Sequence, residues 1–454
     1  MTSVSTRQRA YRGALLFSVL VGLAATGYGV FDPHTLEVYS DSPDSVDIAQ
    51  CAEKATWPDI LRWWSGTWVQ SGSPYYRPLS SMAFWLQYKA FGWDFQGYVI
   101  VSWLLHGLIC AFLFRFAYGL LPGTPLERAV FAALAVVLFN VRRGPSGPGW
   151  IPAPVAYGVV AWWPGQTDQL CLACCLPALI LLDRWLSERH RRHLGWAIAL
   201  WGVALLFKEM AITMPVPAGL LVLLRRGPEA LRLWERSQGV RRLSLGLLWR
   251  LTVPGLLLSG GFLLARRAMV PEAWGPRARE AGYFLTKVLW YAAELPQAII
   301  TARGAWVVVV SLFLALCLYV YARLPRRPAV VWPALVMLLG AGALAQALAG
   351  NFAIITVPRE MAAIGTMTLF LLGIIVLLHV RSGPTWALLA MLAAIHVPIL
   401  HVQGPHYLYW PAAFWGLVNA SLVKYVWDSH TSGRLRFGRA APEPCTRTTE
   451  GTGG

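Results

Sequence analysis

Charge is scarce in this sequence. Only 13% of its 454 residues are Asp, Glu, Lys or Arg, against about 25% in soluble domains. Such a chain has too little polar surface to fold as a water-soluble globule. Acidic residues are scarcer still: 22, against 39 basic ones, for a net charge of +17. In a soluble chain that excess would point to nucleic acid. Here the basic residues cluster in short segments between apolar runs, which is how orientation is set in a membrane. Nucleic acid is therefore not expected as a partner. Cysteine is sparse too, at seven residues. Cys171, Cys174 and Cys175 ("CLACC") lie in an apolar run with no His or Cys set nearby to complete a zinc site. They read as small core hydrophobes, and Cys51 has no evident disulfide partner. No repeat array is present. The first apolar run lacks a convincing small-residue cleavage site and follows Arg7, Arg9 and Arg12, so it reads as a signal anchor.

What the chain has in abundance is apolar sequence: 56% of its residues are hydrophobic and its mean hydropathy is +0.50. Many runs approach or exceed the ~18 residues that suggest a bilayer span. The expected fold is all-α, a polytopic membrane protein of about twelve spans. Their cores fall near 13–30, 97–121, 127–139, 168–183, 194–207, 211–225, 249–265, 305–322, 329–349, 361–380, 385–402 and 408–426. The third and fifth are short. With a cytoplasmic N-terminus, "DRWLSERHRRH" (183–193), "RRGPEALRLWERSQGVRR" (225–242), "RLPRRP" (323–328) and the C-terminal tail fall inside, a positive-inside pattern. Arg266 and Arg267 fall outside and break it. Residues 1–427 read as one polytopic unit, and the Pro/Gly/Thr-rich tail 428–454 as disordered.

The longest polar interruption, 31–96, follows the first span and is expected on the outer face. It opens with "FDPHTLEVYSDSPDSVDIAQ" and continues with "WPDILRWWSGTWVQ" and "RPLSSMAFWLQYKAFGW". The last two carry aromatics at helical spacing and look like helices lying along the interface. A second external stretch, 140–167, is too rich in Gly and Pro for a plain span.

Ionisable residues collect toward this face: Asp41, Asp44, Asp47, Arg77, Asp94, Asp168, Lys208, Glu209 and Arg359, with His106 slightly deeper. Within apolar surroundings each costs roughly 2.5–3.5 kcal/mol on insertion scales, so it needs a partner or a wet cavity. Each has a plain reading beside a functional one. "DSPDSVD" suits a solvated turn or a set of carboxylates able to take a proton from an acceptor hydroxyl. Arg77 suits snorkelling to headgroups or a phosphate contact. His106 suits a helix–helix hydrogen bond or catalysis, and Asp168 a helix cap or a polar site. Lys208 and Glu209 are adjacent inside "ALLFKEMAITMPVPAGLL". On a helix they would point ~100° apart, so each wants a partner on another segment. They read as a tie between helices or as a polar site. Pro215 and Pro217 suggest a broken helix, tolerated where backbone lines a cavity.

Four segments in order resemble one family. They are "YYRPLSSMAFWLQYKAFGWDFQGYVIVSWLLHGLICAFLF", "VVAWWPGQTDQLCLACCLPALILL", "ALLFKEMAITMPVPAGLLVLL" and "HYLYWPAAFWGLV", with "VPREMAAIGTMTLFLL" a rival for the last slot. They are similar to stretches of membrane O-mannosyltransferase-like proteins of the GT-C class, including those that carry tetratricopeptide repeats, which this chain lacks. The resemblance covers roughly residues 31–225 well and the rest loosely. It implies a GT-C-like fold whose large first external loop carries juxtamembrane helices. It implies a sugar donor on a polyprenyl phosphate and an acidic catalytic base after the first span. By position Asp41 is the first candidate for that base and Asp44 its nearest substitute. Arg77, His106, Asp168, Lys208 and Glu209 fall on the family's motif residues. The chain departs from the family at Ser40, which splits the acidic pair, and at Gln166, where an Arg is usual. "FNVRRGP" stands where a His-Pro often ends the third span.

The function implied is sugar transfer from a polyprenyl-phosphate donor to a protein, glycan or lipid acceptor at the outer face of a plasma or inner membrane, with inversion. Lys208, Arg77 or Arg359 would neutralise the departing phosphate, and Asp168 or Glu209 would position sugar or side chains. No metal-ligand set with clear spacing appears, although scattered acids could hold a divalent cation. Two rival classes share the intramembrane charges: a transporter or lipid flippase, and a non-catalytic member of a cell-envelope complex.

Overall fold

The computed structural model describes residues 4–70, 75–141, 143–144, 153–234, 239–270, 383–396 and 408–431. The expected spans 305–322, 329–349 and 361–380, the tail from 432 onward, and Arg359 lie outside the described residues. The described residues are mainly helical, with one antiparallel pair of two-residue strands, β1 (Arg143–Gly144) with β2 (Ala153–Pro154).

Helix α1 (Val4–Phe31) covers the first apolar run, and short helices α2 (Pro33–Ser40), α3 (Pro43–Lys54) and α4 (Trp57–Arg62) follow. Then come α5 (Pro78–Phe91), α6 (Phe95–Leu120), α7 (Pro125–Val141), α8 (Val155–Ala161), α9 (Gln166–Glu188) and α10 (Arg191–Phe207). The remainder are α11 (Pro215–Trp234), α12 (Gly239–Met269), α13 (Gly383–His396) and α14 (Tyr409–Thr431). Three helical segments, Arg7–Gly27, Phe95–Leu120 and Trp163–Glu188, are long and apolar enough to cross a membrane. This supports a membrane protein of all-α class. At 17 residues each, α7 and α10 reach about 26 Å, short of the ~30 Å hydrocarbon core.

Local sequence explains where the helices begin. A proline at the first helical position loses nothing, because its missing N–H would have no partner there. Pro33, Pro43, Pro78 and Pro215 each open a helix. Ahead of Pro33, the Asp32 carboxylate accepts from the Thr35 backbone N–H at 3.0 Å. The Thr35 hydroxyl also bonds it, and this bond foremost holds the Asp32 carboxyl below its usual range. Ahead of Pro43, the Ser42 hydroxyl accepts from Ser45 N–H at 3.3 Å. At the start of α4, Asp59 reaches back to the Thr56 backbone N–H at 2.8 Å. Gly92, with φ +57°, ends α5 in a conformation open to glycine, and Asp94 caps α6 through Gln96 N–H at 3.1 Å.

Through Leu422 the described residues form one compact unit. Within it α1, α6 and α7 pack on one another, α6 packs on α9, and α9 packs on α10 and α11. Small residues bring the helices close, the usual device where there is no hydrophobic drive between them. A Cβ on Gly416 of α14 would lie 2.4 Å from the Ala135 carbonyl oxygen on α7. Gly416→Ala is therefore expected to destabilise by about 1–3 kcal/mol through overpacking. Gly260→Ala, with nothing within 4 Å of its Cβ, is expected to leave the unfolding midpoint in detergent unchanged or raised. Residues of segment 31–96, among them Ile48, Ile60, Trp68 and Phe84, share a hydrophobic cluster with Tyr98 of α6 and Trp163. Trp163 stacks on Tyr98 at 3.9 Å. Residues Val423–Thr431 belong to a second unit, where they are helical and Lys424 bonds Asp428 one turn on.

Candidate functional site

The centre of the site is a break in a helical pair. Helix α10 stops at Phe207, Lys208 is extended at φ −157° and ψ 141°, and Glu209–Thr213 forms a 3-10 turn before Pro215 opens α11. The expected broken helix is present, and the extended residue answers the question set by the adjacent charges. Lys208 turns to α9, where its Nζ meets Asp168 Oδ2 at 2.5 Å. Glu209 turns to the start of α5, where Arg77 grips it with both arms of its guanidinium: Nε to Oε2 at 2.8 Å and Nη2 to Oε1 at 2.6 Å. The planar fork suits a carboxylate in this bidentate way.

Side chains meet several of the backbone carbonyls at the break, as polar backbone requires away from water. The Ser80 hydroxyl donates to the Phe207 carbonyl at 2.7 Å. The Cys171 thiol lies 3.3 Å from the Ala204 carbonyl oxygen and 3.5 Å from that of Lys208. Arg77 is further held between rings, its guanidinium carbon 4.0 Å from the centre of Tyr75 and 4.9 Å from that of Trp68. Trp410 of α14 donates to the Asp168 carbonyl at 3.0 Å. Segments near residues 77, 168, 208 and 410 are thus drawn to one place, and the two ion pairs lie within electrostatic reach of each other.

The charges balance: two cations against two carboxylates. Three of the four side chains are at most 5% exposed, and Glu209 is 20% exposed. One oxygen stands out. Asp168 Oδ1 is buried and has no hydrogen-bond partner among the described residues. Such an orphan acceptor calls for an explanation. Asp168 does not cap α9, for its side chain is turned to Lys208 instead.

The other expected residues fall at varying removes. Asp44 sits in the first turn of α3 and accepts from the Gln70 amide at 2.6 Å. Gln70 follows Trp68 and Val69, which lie over Arg77 and against Ser81 respectively, so Asp44 connects to the quartet through that loop. Asp41 is exposed at the end of α2, where the Ser40 hydroxyl donates to it at 3.3 Å. Asp47 is approached by the Cys51 thiol at 3.8 Å, and Asp94 serves as the α6 cap. His106 is engaged elsewhere. Its Nδ1 bonds the Tyr409 hydroxyl at 2.6 Å and its Nε2 bonds Asn140 Oδ1 at 2.8 Å. It ties α6, α7 and α14 through helix–helix hydrogen bonds. Gln166, where the family shows Arg, donates to the Tyr98 carbonyl at 2.9 Å and accepts from Gln87 at 2.7 Å. The polar stretch "DSPDSVD" is a capped helix start rather than a solvated turn, and the Ser-Pro step is the signal that marks it. Ser80, Tyr75, Trp68 and Trp410 escape a reading based on charge, although "YYRP" and "YLYWP" stand inside the quoted segments. Among the described residues no group of three or more His, Cys, Asp or Glu gathers as a metal set. No protein-family model matches this chain, and no curated protein matches it.

Proposed function

We propose that the chain is a membrane glycosyltransferase of the GT-C kind. It has about twelve spans, both termini cytoplasmic, and moves a sugar from a polyprenyl-phosphate donor to an acceptor hydroxyl at the outer face. The observation that carries this reading is the convergence of Arg77 at the start of α5, Asp168 of α9, and Lys208 and Glu209 at the break after α10. A structural tie between two helices needs one ion pair. Two pairs with aromatic walls, a helix break and an orphan carboxylate oxygen suit a site that orients a polar ligand.

In this reading the acceptor oxygen attacks the anomeric carbon as the bond from that carbon to the phosphate oxygen breaks. The acceptor proton passes to Asp41 or Asp44, the polyprenyl phosphate departs with the bonding electrons, and attack from the opposite side inverts the centre. Asp168 Oδ1 accepts from a sugar hydroxyl. The exposed position of Asp41 and the first-turn position of Asp44 leave both able to meet an acceptor arriving from solvent.

The test is release of polyprenyl phosphate from polyprenyl-phosphate-linked mannose or glucose by the purified chain in lipid nanodiscs, with water as the acceptor that takes the sugar. Asp41→Asn and Asp44→Asn are assayed singly. At least a tenfold loss of turnover is expected in one of them. Full turnover in both removes this mechanism. Vectorial movement of the intact donor without cleavage favours the transporter reading.

A further inference from the structure

Arg266 and Arg267 run against the positive-inside pattern, and the structure gives the first of them a setting. They close α12, which packs on α10 and α11. Ser259 of α12 reaches toward the Ile212 carbonyl in the 3-10 turn, at 3.4 Å. Phe262, one turn before Arg266, lies with its ring 6.0 Å from that of Tyr76. The end of α12 is therefore carried to the residue beside Arg77, and the charge of Arg266 acts on Glu209. Arg266 Nε is buried and has no acceptor among the described residues. Arg267, by contrast, is exposed.

The charge count separates Arg266 from the quartet. Arg77 is matched by Glu209 through two hydrogen bonds. Lys208 is matched by Asp168, and that pair sums to zero wherever its proton sits. Adding Arg266 makes three basic groups against two acidic ones among the described residues, a surplus there of one positive charge, with a spare donor on a half-buried guanidinium. A membrane segment keeps such a charge where an anion meets it.

We propose that Arg266 is the anion-binding residue of this site and that its ligand is a phosphate monoester or diester. That the phosphate is carried on a polyprenyl lipid rests on the glycosyltransferase reading above; the anion site itself rests on Arg266. Arg77 then has a different part from the one its sequence position suggests. It fixes Glu209 and the helix break, and the phosphate falls to the guanidinium that no carboxylate takes among the described residues. The fork geometry favours Arg over Lys at such a position.

The experiment measures binding to the full chain in nanodiscs of neutral lipid. The probes are undecaprenyl phosphate and inorganic phosphate, used separately. Wild type is expected to bind undecaprenyl phosphate, and Arg266→Gln to weaken it at least tenfold with an unchanged unfolding midpoint. Arg266→Lys is expected to recover part of the loss, and Arg267→Gln to have no effect. Binding of inorganic phosphate with the same dependence on Arg266 upholds the anion site and assigns it to free phosphate. Equal losses in Arg266→Gln and Arg267→Gln mean generic surface charge and overturn the proposal, as does binding of neither probe by wild type. Binding lost in Arg266→Gln, in a chain that turns over no donor sugar, upholds the site and removes the transferase reading alone.

Discussion

Glu209→Ala is expected to be among the most destabilising single changes in the described part of the chain, at about 3–5 kcal/mol. The reason is the charge it strands. Arg77 is 5% exposed, sits against Tyr75 and Trp68, and takes both of its short carboxylate contacts from Glu209. Cutting the glutamate back leaves a buried guanidinium whose strongest partner is gone. It also loosens the 3-10 turn that begins at residue 209. Removing both charges is a different matter, since an apolar pair of similar volume is often neutral or stabilising at such a site. Arg77→Met with Glu209→Leu is thus expected to cost less than Glu209→Ala alone. A double-mutant cycle, read by chemical unfolding in mild detergent, is expected to give a coupling of about 1–3 kcal/mol between residues 77 and 209. A coupling near zero means that the pair holds nothing together, and the convergence loses its energetic basis.

How much of this was legible in the sequence follows from the range of each interaction. Helices that rest on local signals were readable. The apolar runs at 97–121 and 168–183 appear as α6 and α9, because apolar length is a property of the run itself. The break after Phe207 was readable from two charges and two prolines within ten residues. The starts of α2 and α3 carry signals too, Asp32-Pro33 and Ser42-Pro43, although the composition of "DSPDSVD" at α3 also suits a turn. Asp, Ser and Pro form turns, and the same residues begin helices, so composition alone does not separate the two. The pairings were out of reach. Glu209 meets a residue 132 positions away and Lys208 one 40 positions away. Nothing in hydrophobic period or spacing selects Arg77 for one and Asp168 for the other. What chooses is the extended backbone at Lys208, which sends neighbouring side chains to opposite sides. His106 shows the same limit. A lone histidine on an apolar helix has the same sequence appearance whether it serves chemistry or, as here, bonds Asn140 and Tyr409.

Lys208→Met is expected to match or exceed the loss at Glu209, at about 3–5 kcal/mol, because the group it strands is buried more deeply. Asp168 is 0% exposed and Lys208 2% exposed. One oxygen of Asp168 already lacks a partner among the described residues. The substitution takes away the Nζ donor of the other, and an unpaired carboxylate in apolar surroundings is among the costliest groups a protein can hold. The double change Asp168→Asn with Lys208→Met removes the stranded charge and is expected to regain most of the stability. The comparison also separates packing from charge. A loss that persists in the double variant belongs to the Lys208 hydrocarbon stem and the backbone break. A loss that disappears belongs to the ion pair. Thermal unfolding of the three variants beside wild type, in one detergent and at one pH, reads the difference directly. If the double variant regains its stability while donor turnover stays low, the pair is held for the chemistry of the site rather than for the fold. Turnover restored together with stability makes Asp168 and Lys208 a structural clamp and leaves the sugar to other hands.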